Sequence, residues 1–292
     1  MSKNVFTRVT AILTAILMAM VFNIGVYAVE EDNADAIDGA PVIYVLYDSD
    51  LPQAMLDNIR ACEGKEYLAI AKEEAYNTFV DENAFDMQSA VSFSTIVRPW
   101  IHWIYQHPQE RSYYCGYAAF QSILEYHGIN MTQEEIADEA YDKNSALAWF
   151  TGINDYADNW QYYPAAVYLS SKLDHQYRPY NSYFGTYTAN ELSAKLKYDI
   201  VEANEPIMIA GVSKGNDSNG SRLPGYPTNA NISHWIVGDG FKWDIDTQTM
   251  PEVHYVDPAK SDAITWSGSI EESTYKDLTR MYNFSTGHGI IW

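Results

Sequence analysis

The spacing of apolar residues changes at Pro206, and this change constrains the fold of the main part of the chain more than any other feature. Before Pro206, apolar residues recur every three to four positions, as in an amphipathic helix; the stretch from Cys115 to His127, followed by Gly128, is the clearest example. After Pro206, the runs IMIAGVS, HWIVGDGF and EVHYVDP predict strands, and the polar stretch GNDSNGSRLPGYPTNAN predicts a long loop. Helices first and strands later, without alternation into βαβ units, predict an α+β fold.

Two further helix starts carry a capping-box pattern. Thr132 is followed three residues later by Glu135, and Thr188 by Glu191. In such a box the threonine hydroxyl accepts a hydrogen bond from a backbone N–H of the first turn, and the glutamate reaches back to the threonine. The second box is followed by an apolar stripe at helical spacing, made of Leu192, Leu196 and Ile200.

Residues 1–28 have the pattern of a secretory signal peptide. Lys3 and Arg8 precede an apolar run over residues 11–26, and the sequence VYA at residues 26–28 offers a cleavage site with small residues. An uncleaved N-terminal anchor is the alternative interpretation, but an acidic, polar segment follows at once. We therefore expect an exported, extracellular protein with no stable membrane insertion after signal cleavage.

Residues 29–94 form an acidic N-terminal segment that includes the strand-like sequence PVIYVLY, and residues 95–292 form the main domain. The net charge of the chain is −21, and loss of the two signal-peptide cations makes it −23. No basic stripe is available to neutralise phosphates, which excludes nucleic acid as a partner. The acidic segment is either an inhibitory pro-region that contacts the domain and covers its cleft, or a spacer or small folded appendage. Both interpretations stay open.

One of the two cysteines, Cys115, lies at the start of the predicted helix, in the sequence QERSYYCGYAAFQSILEYHG. Unpaired backbone N–H groups and the helix dipole favour a thiolate at this position. Gly116 leaves space for a substrate carbonyl, and Gln109, six residues upstream, is placed to donate its amide to an oxyanion, although Gln106 lies close enough to be confused with it. The alternatives for Cys115 are a buried core thiol and a disulfide with Cys62.

A nucleophilic cysteine also needs a base, and His234 is the best placed of the seven histidines because it opens a predicted strand after the long loop. Asp257, at the end of the next strand, is placed to orient the imidazole, although an aspartate before a proline is also a common turn former. His254 competes but alternates to the opposite face of its strand from Asp257, and His288 is a weaker rival. The other histidines lie in aromatic or helical settings that predict packing: His102, His107, His127 and His175.

Taken in order, Gln-x5-Cys-Gly-Tyr-Ala-Ala, YHGI, TQEEIA, EPIMI, SHWIVGDGF and VDP resemble the papain-like cysteine peptidases, in particular a secreted branch related to the bacteriocin-leader (double-glycine) peptidases. The resemblance covers about Thr95–Trp292. It implies a papain-like fold in which a helical lobe carrying the nucleophile precedes an antiparallel sheet lobe carrying the histidine and aspartate. By this likeness Cys115 is the nucleophile and His234 the base and later the acid. Asp257 then orients His234, and Gln109 donates to the oxyanion.

The chain departs from this family's pattern in two ways. Tyr117 stands where a small residue or proline usually follows Cys-Gly, and the chain has no transporter domain, so double-glycine specificity does not carry over. We expect an exported cysteine peptidase acting on a peptide or protein substrate, with no cofactor and no metal. The alternatives are a catalytically silent secreted binding module of the same fold, and a cell-wall peptide amidase or transpeptidase that uses the same triad.

Overall fold

A computed structural model describes residues 57, 60–61, 66–83, 97–139, 164–173, 179–180, 188–286 and 288–292. These residues belong to one compact unit, Gln53–Trp292. The predicted signal peptide, the strand-like sequence PVIYVLY, Cys62 and His175 lie outside the described residues.

The described residues form six α-helices and one sheet of seven strands. The helices are α1 (Glu66–Asn83), α2 (Cys115–Tyr126), α3 (Gln133–Glu139), α4 (Pro164–Lys172), α5 (Ala189–Lys197) and α6 (Leu278–Ser285). The strands are β1 (Val97–Ile101), β2 (Pro179–Tyr180), β3 (Ile207–Ser213), β4 (Ile232–Asp244), β5 (Thr249–Val256), β6 (Ser273–Asp277) and β7 (Gly289–Ile291). Among these helices, none is long and apolar enough to cross a membrane.

The sheet is antiparallel at every pairing of described strands, in the order β2-β7-β3-β4-β5-β6, and β1 also pairs with β4. The 13-residue strand β4 is its centre, since β1, β3 and β5 all pair with it. The predicted α+β class with an antiparallel sheet is confirmed.

Helices cover both faces of the sheet. Because successive side chains of a strand point to opposite faces, the core consists of two clusters, one on each face. On β3, Met208 and Ala210 pack in the cluster that contains α2, α3 and α4. Ile207 and Ile209 pack in a second cluster with α5 and α6. Tyr76 of α1 also belongs to this second cluster. Helix α1, which lies within the predicted acidic segment, therefore packs on the face of the sheet opposite α2.

The predicted helix boundaries agree closely with the structure where a capping signal is present. Helix α2 begins at Cys115, and Gly128 beyond its end has a φ of 81°, a left-handed conformation that favours glycine. The first capping box forms, since the backbone N–H of Glu135 donates to the Thr132 hydroxyl at 3.2 Å. The second box forms in the same way at Thr188, with a distance of 3.2 Å to Glu191 N.

Two features of the fold were not predicted from the pattern. Helix α5 continues into a π-helical turn, Tyr198–Ala203, which ends at left-handed Asn204 just before Pro206. Four strands were also missed, for identifiable reasons. Strand β1 contains Pro99, β2 and β7 have only two and three residues, and β6 reads STYKD, which is largely polar.

Candidate active site

Cys115 is the first residue of α2, and its side chain is a free thiol that is only 3% exposed. Among the described residues, no side chain caps this end of the helix. The backbone N–H groups of an uncapped first turn carry partial positive charge and attract an anion. The position predicted for the thiol, at an open helix N-terminus, is therefore the position that it occupies.

His234 and Asp257 are brought together by the register of two neighbouring strands. Val237 of β4 pairs with Val256 of β5, so the next residue, Asp257, lies opposite Ile236. His234 is two residues further along β4 and is the diagonal neighbour of Asp257 on the same face. The distance between His234 Nε2 and Asp257 Oδ1 is 2.8 Å, and both side chains are buried.

Cys115 lies within electrostatic reach of the His234 ring and affects its pKa. Burial alone lowers the pKa of His234, but the charges of Asp257 and Cys115, with the hydrogen bond to Asp257, outweigh it and raise the pKa to about 10. An imidazole with that pKa is protonated at neutral pH, so both of its nitrogens are donors. The arrangement is a buried series from thiol to imidazole to carboxylate, in which the imidazole is hydrogen-bonded to the carboxylate.

Gln109 is tied to the turn that follows Asp257. Its backbone N–H donates to the carbonyl of Pro258 at 2.9 Å, and the Ser261 hydroxyl donates to its carbonyl. Its side-chain amide donates to the carbonyl of Arg111 at 2.8 Å. Gln106, the residue that sequence reasoning had difficulty separating from Gln109, donates instead to the carbonyl of Asp257 at 2.8 Å and so supports the turn.

The segment that holds Gln109 is braced by Gln133, a buried residue that the sequence analysis did not single out. The Gln133 amide donates to the carbonyl of Pro108 at 2.8 Å and accepts from the backbone N–H of Glu110 at 2.9 Å. These two bonds hold the residues on either side of Gln109. In the sequence, the one indication of this role is that Gln133 directly follows Thr132, the capping residue of α3.

A second residue missed from sequence is Tyr226, which lies in the long loop between β3 and β4. Its hydroxyl is 3.1 Å from each carboxylate oxygen of Asp257. The signal in the sequence was a single aromatic residue, in PGYP, within an otherwise polar loop. The side chain is buried and belongs to the same constellation as His234 and Asp257.

The competing histidines lie away from the candidate site. His254 Nδ1 lies 2.5 Å from Asp239, which agrees with the expectation that it faces away from Asp257. His288 is half-buried, and its desolvation lowers its pKa to about 4. His107 contacts Glu125. None of these three histidines reaches Cys115 through a contact that the structure describes.

Tyr117 does not crowd the nucleophile. Its ring is fully buried in the core and packs edge-on against Tyr114, with ring centroids 4.8 Å apart. The departure from the usual small residue after Cys-Gly is therefore accommodated inside the domain.

A family model described as "Peptidase_C39 like family" matches residues 100–283, which is well over half of the chain and includes Cys115, His234 and Asp257. No curated protein matches the chain.

Proposed function

The chain belongs to the Peptidase_C39 like family, and from this premise we propose that it is an exported cysteine peptidase that hydrolyses peptide bonds through Cys115, His234 and Asp257. The family match and the buried geometry support the coarser assignment as a cysteine peptidase. Export rests on the signal-peptide pattern of residues 1–28.

One observation carries the proposal: His234 is hydrogen-bonded to Asp257 at 2.8 Å and lies close enough to Cys115 for the charge of Cys115 to raise its pKa. A silent binding module of the same fold would not need these three side chains close together. Their burial strengthens the interactions between them, because the effective dielectric is low inside the protein.

In the proposed reaction, the Cys115 sulfur attacks the substrate carbonyl as a thiolate while His234 carries the proton. His234 then gives that proton to the leaving amine, and a thioester with Cys115 remains. Water attacks the thioester with His234 now acting as base, which releases the acid product and restores the thiol. Asp257 stabilises the imidazolium throughout and keeps its proton on Nε2.

Two donors are available for the oxyanion that forms on the substrate carbonyl. One is the backbone N–H of Cys115 at the uncapped start of α2. The other is the amide of Gln109, whose nitrogen carries two N–H groups. The Arg111 carbonyl accepts from one N–H and so orients the side chain, which leaves the second N–H for the oxyanion.

The test is the pH dependence of thiol alkylation, in a Cys62→Ser background so that Cys115 is the sole reactive cysteine. Labelling with limiting iodoacetamide is followed by intact mass from pH 5 to 9, beside a His234→Ala variant and a His288→Ala control. We expect rapid labelling at pH 5–6, lost in His234→Ala and kept in the control. Slow labelling with an ordinary thiol profile in all three proteins would contradict the proposal and favour the binding module. A peptide-library digest, with Cys115→Ser as the blank, then gives the cleavage preference.

A further inference from the structure

The carboxylate of Asp257 has three hydrogen-bond partners, and its two oxygens do not share them equally. Oδ1 contacts His234 Nε2 at 2.8 Å and accepts from the backbone N–H of Ala259 at 2.9 Å. The Tyr226 hydroxyl lies 3.1 Å from Oδ1 and 3.1 Å from Oδ2. Among the described residues, Tyr226 is the one group that hydrogen-bonds Oδ2.

The Tyr226 ring is fixed independently of this hydrogen bond. It packs against the ring of His234, with centroids 5.7 Å apart, and against Trp266 at 5.0 Å. The preceding residue, Gly225, has a φ of 79°, and a Cβ there would lie 2.3 Å from the carbonyl oxygen of Ser269. The backbone before Tyr226 thus passes against a neighbouring loop at a distance that only glycine allows.

The loop that carries Tyr226 is also anchored on its other side. The backbone N–H of Leu223 donates to the Ser213 hydroxyl, at the end of β3, at 2.9 Å. The Arg222 guanidinium donates to the carbonyl of Gly215 at 2.9 Å, and Lys276 of β6 donates to the carbonyl of Arg222. These hydrogen bonds fix the loop, and the loop in turn fixes the position of the Tyr226 hydroxyl next to Asp257.

We propose that Tyr226 is a positioning residue of this site, whose hydroxyl holds the Asp257 carboxylate and draws off part of the negative charge that Asp257 presents to His234. The inference rests on the proposed function and deepens it, because Tyr226 would act on the proton-transfer step through Asp257 without touching the substrate.

The chemical consequence concerns how readily His234 gives up its proton. A carboxylate that accepts an extra hydrogen bond is a weaker partner for an imidazolium, since its charge is shared. Without the Tyr226 hydroxyl, the charge is concentrated on Oδ1, facing His234, and the imidazolium becomes a poorer acid. Protonation of an amine leaving group then slows, whereas an activated ester, whose leaving group needs no proton, is little affected.

The variant that tests this is Tyr226→Phe, which keeps the ring and removes the hydroxyl. Its matched control is Tyr168→Phe, because Tyr168 is also a buried tyrosine whose hydroxyl contacts a carboxylate, that of Glu139 at 3.3 Å. The first readout is the pKa of His234, followed by NMR in a Cys115→Ser background. The second readout is kcat on a peptide amide and on an activated ester of the same acyl group.

For Tyr226→Phe we expect the His234 pKa to rise by about half a unit or more. We expect kcat on the amide to fall about 10-fold and kcat on the ester to stay within about 2-fold. The control should change neither. A His234 pKa that is unchanged or lower in Tyr226→Phe would overturn the inference, as would equal losses on both substrates. The NMR readout needs no turnover, so an unreactive Cys115 would refute the proposed function and still leave this test decisive.

Discussion

Helix α1 is attached to the rest of the unit through a buried lysine, and replacing that lysine should cost a measurable share of the stability. Lys72 Nζ lies 2.9 Å from Glu205 Oε2 and 3.3 Å from Asp199 Oδ1. The side chains of the three residues are 8%, 9% and 0% exposed, respectively. The perturbation is Lys72→Met, which keeps the length of the side chain and its packing near the Trp292 ring, 5.1 Å from Nζ.

The magnitude follows from the two distances. At an effective dielectric constant of about 20, each attraction is about 5 kcal/mol, and most of it offsets the cost of burying the charges. Removal of one partner from a buried ion pair costs about 3–5 kcal/mol, because the charge that remains has lost its counter-ion. We expect about 3 kcal/mol at pH 8 for Lys72→Met, or a fall in Tm of about 6–12 °C for a unit of this size.

The loss should be smaller at pH 5, for a reason that lies in Asp199. Burial raises the pKa of Asp199; the charge of Lys72 lowers it and that of Glu205 raises it, with a net value of about 7. Because this native value lies above the ordinary 3.8, the stability linked to Asp199 is present at low pH and is lost as the pH rises through about 7. At pH 5 the carboxyl is protonated and needs no cation, so the variant gives up mainly the attraction to Glu205.

The assay is urea unfolding followed by circular dichroism at pH 5 and pH 8. Lys214→Met, at an exposed position, is the matched control and should cost less than about 0.5 kcal/mol. The double variant Lys72→Met/Glu205→Gln should recover more than half of the loss at pH 8, since it removes a stranded charge. A Lys72→Met protein as stable as the control at pH 8 would refute the reasoning. If α1 is an integral part of the unit, deletion of the residues before 94 should destabilise the protein, whereas deletion of an inhibitory pro-region should not.

Three further predictions concern the site and the core beneath it. Asp257→Asn should lower the pKa of His234 from about 10, and it should flatten the loss of stability that the raised His234 pKa produces between pH 6.5 and 10; an NMR titration of His234 that is unchanged would contradict this. Gln109→Ala should lower kcat about 10²–10³-fold and leave the iodoacetamide labelling rate unaltered, because an oxyanion donor acts in the transition state; a loss below 5-fold would count against that role. Gly211→Ala should cost about 3 kcal/mol in urea unfolding, since its Cβ would lie 2.2 Å from a backbone carbonyl oxygen of α6, whereas Gly268→Ala, with open space around it, should be nearly neutral; equal stabilities of the two variants would disprove the clash.

The parts of the fold that could be predicted from sequence are those whose burial is periodic. Helix α2 and strands β3, β4 and β5 each bury one face or nearly all of their length, so their apolar residues recur at a readable spacing. Strand β1 gave no such signal, because four of its five residues are exposed and one of them is Pro99. Its place in the sheet comes from pairing with β4, a long-range contact that local patterns do not record.

In the candidate site, too, the residues on regular elements could be predicted and those in loops could not. Cys115, His234 and Asp257 could be proposed as candidates because each stands at or near the end of a regular element. Tyr226 could not, because its loop has no period and its partner Asp257 is 31 residues away. The tie between Gln109 and the turn after Asp257 was hidden for the same reason, since Gln109 and Pro258 meet only in the folded chain.

The packing of α2 directly on the sheet has a consequence for how the protein loses activity on heating. Cys115 and Trp235, the residue next to His234 on β4, belong to a single apolar cluster. Cys115 and His234, the proposed nucleophile and base, therefore need no closing movement of two lobes to meet, and they separate only if that cluster opens. We expect thermal inactivation, measured as loss of Cys115 alkylation at pH 6, to coincide with cooperative melting of the unit and to show no earlier phase.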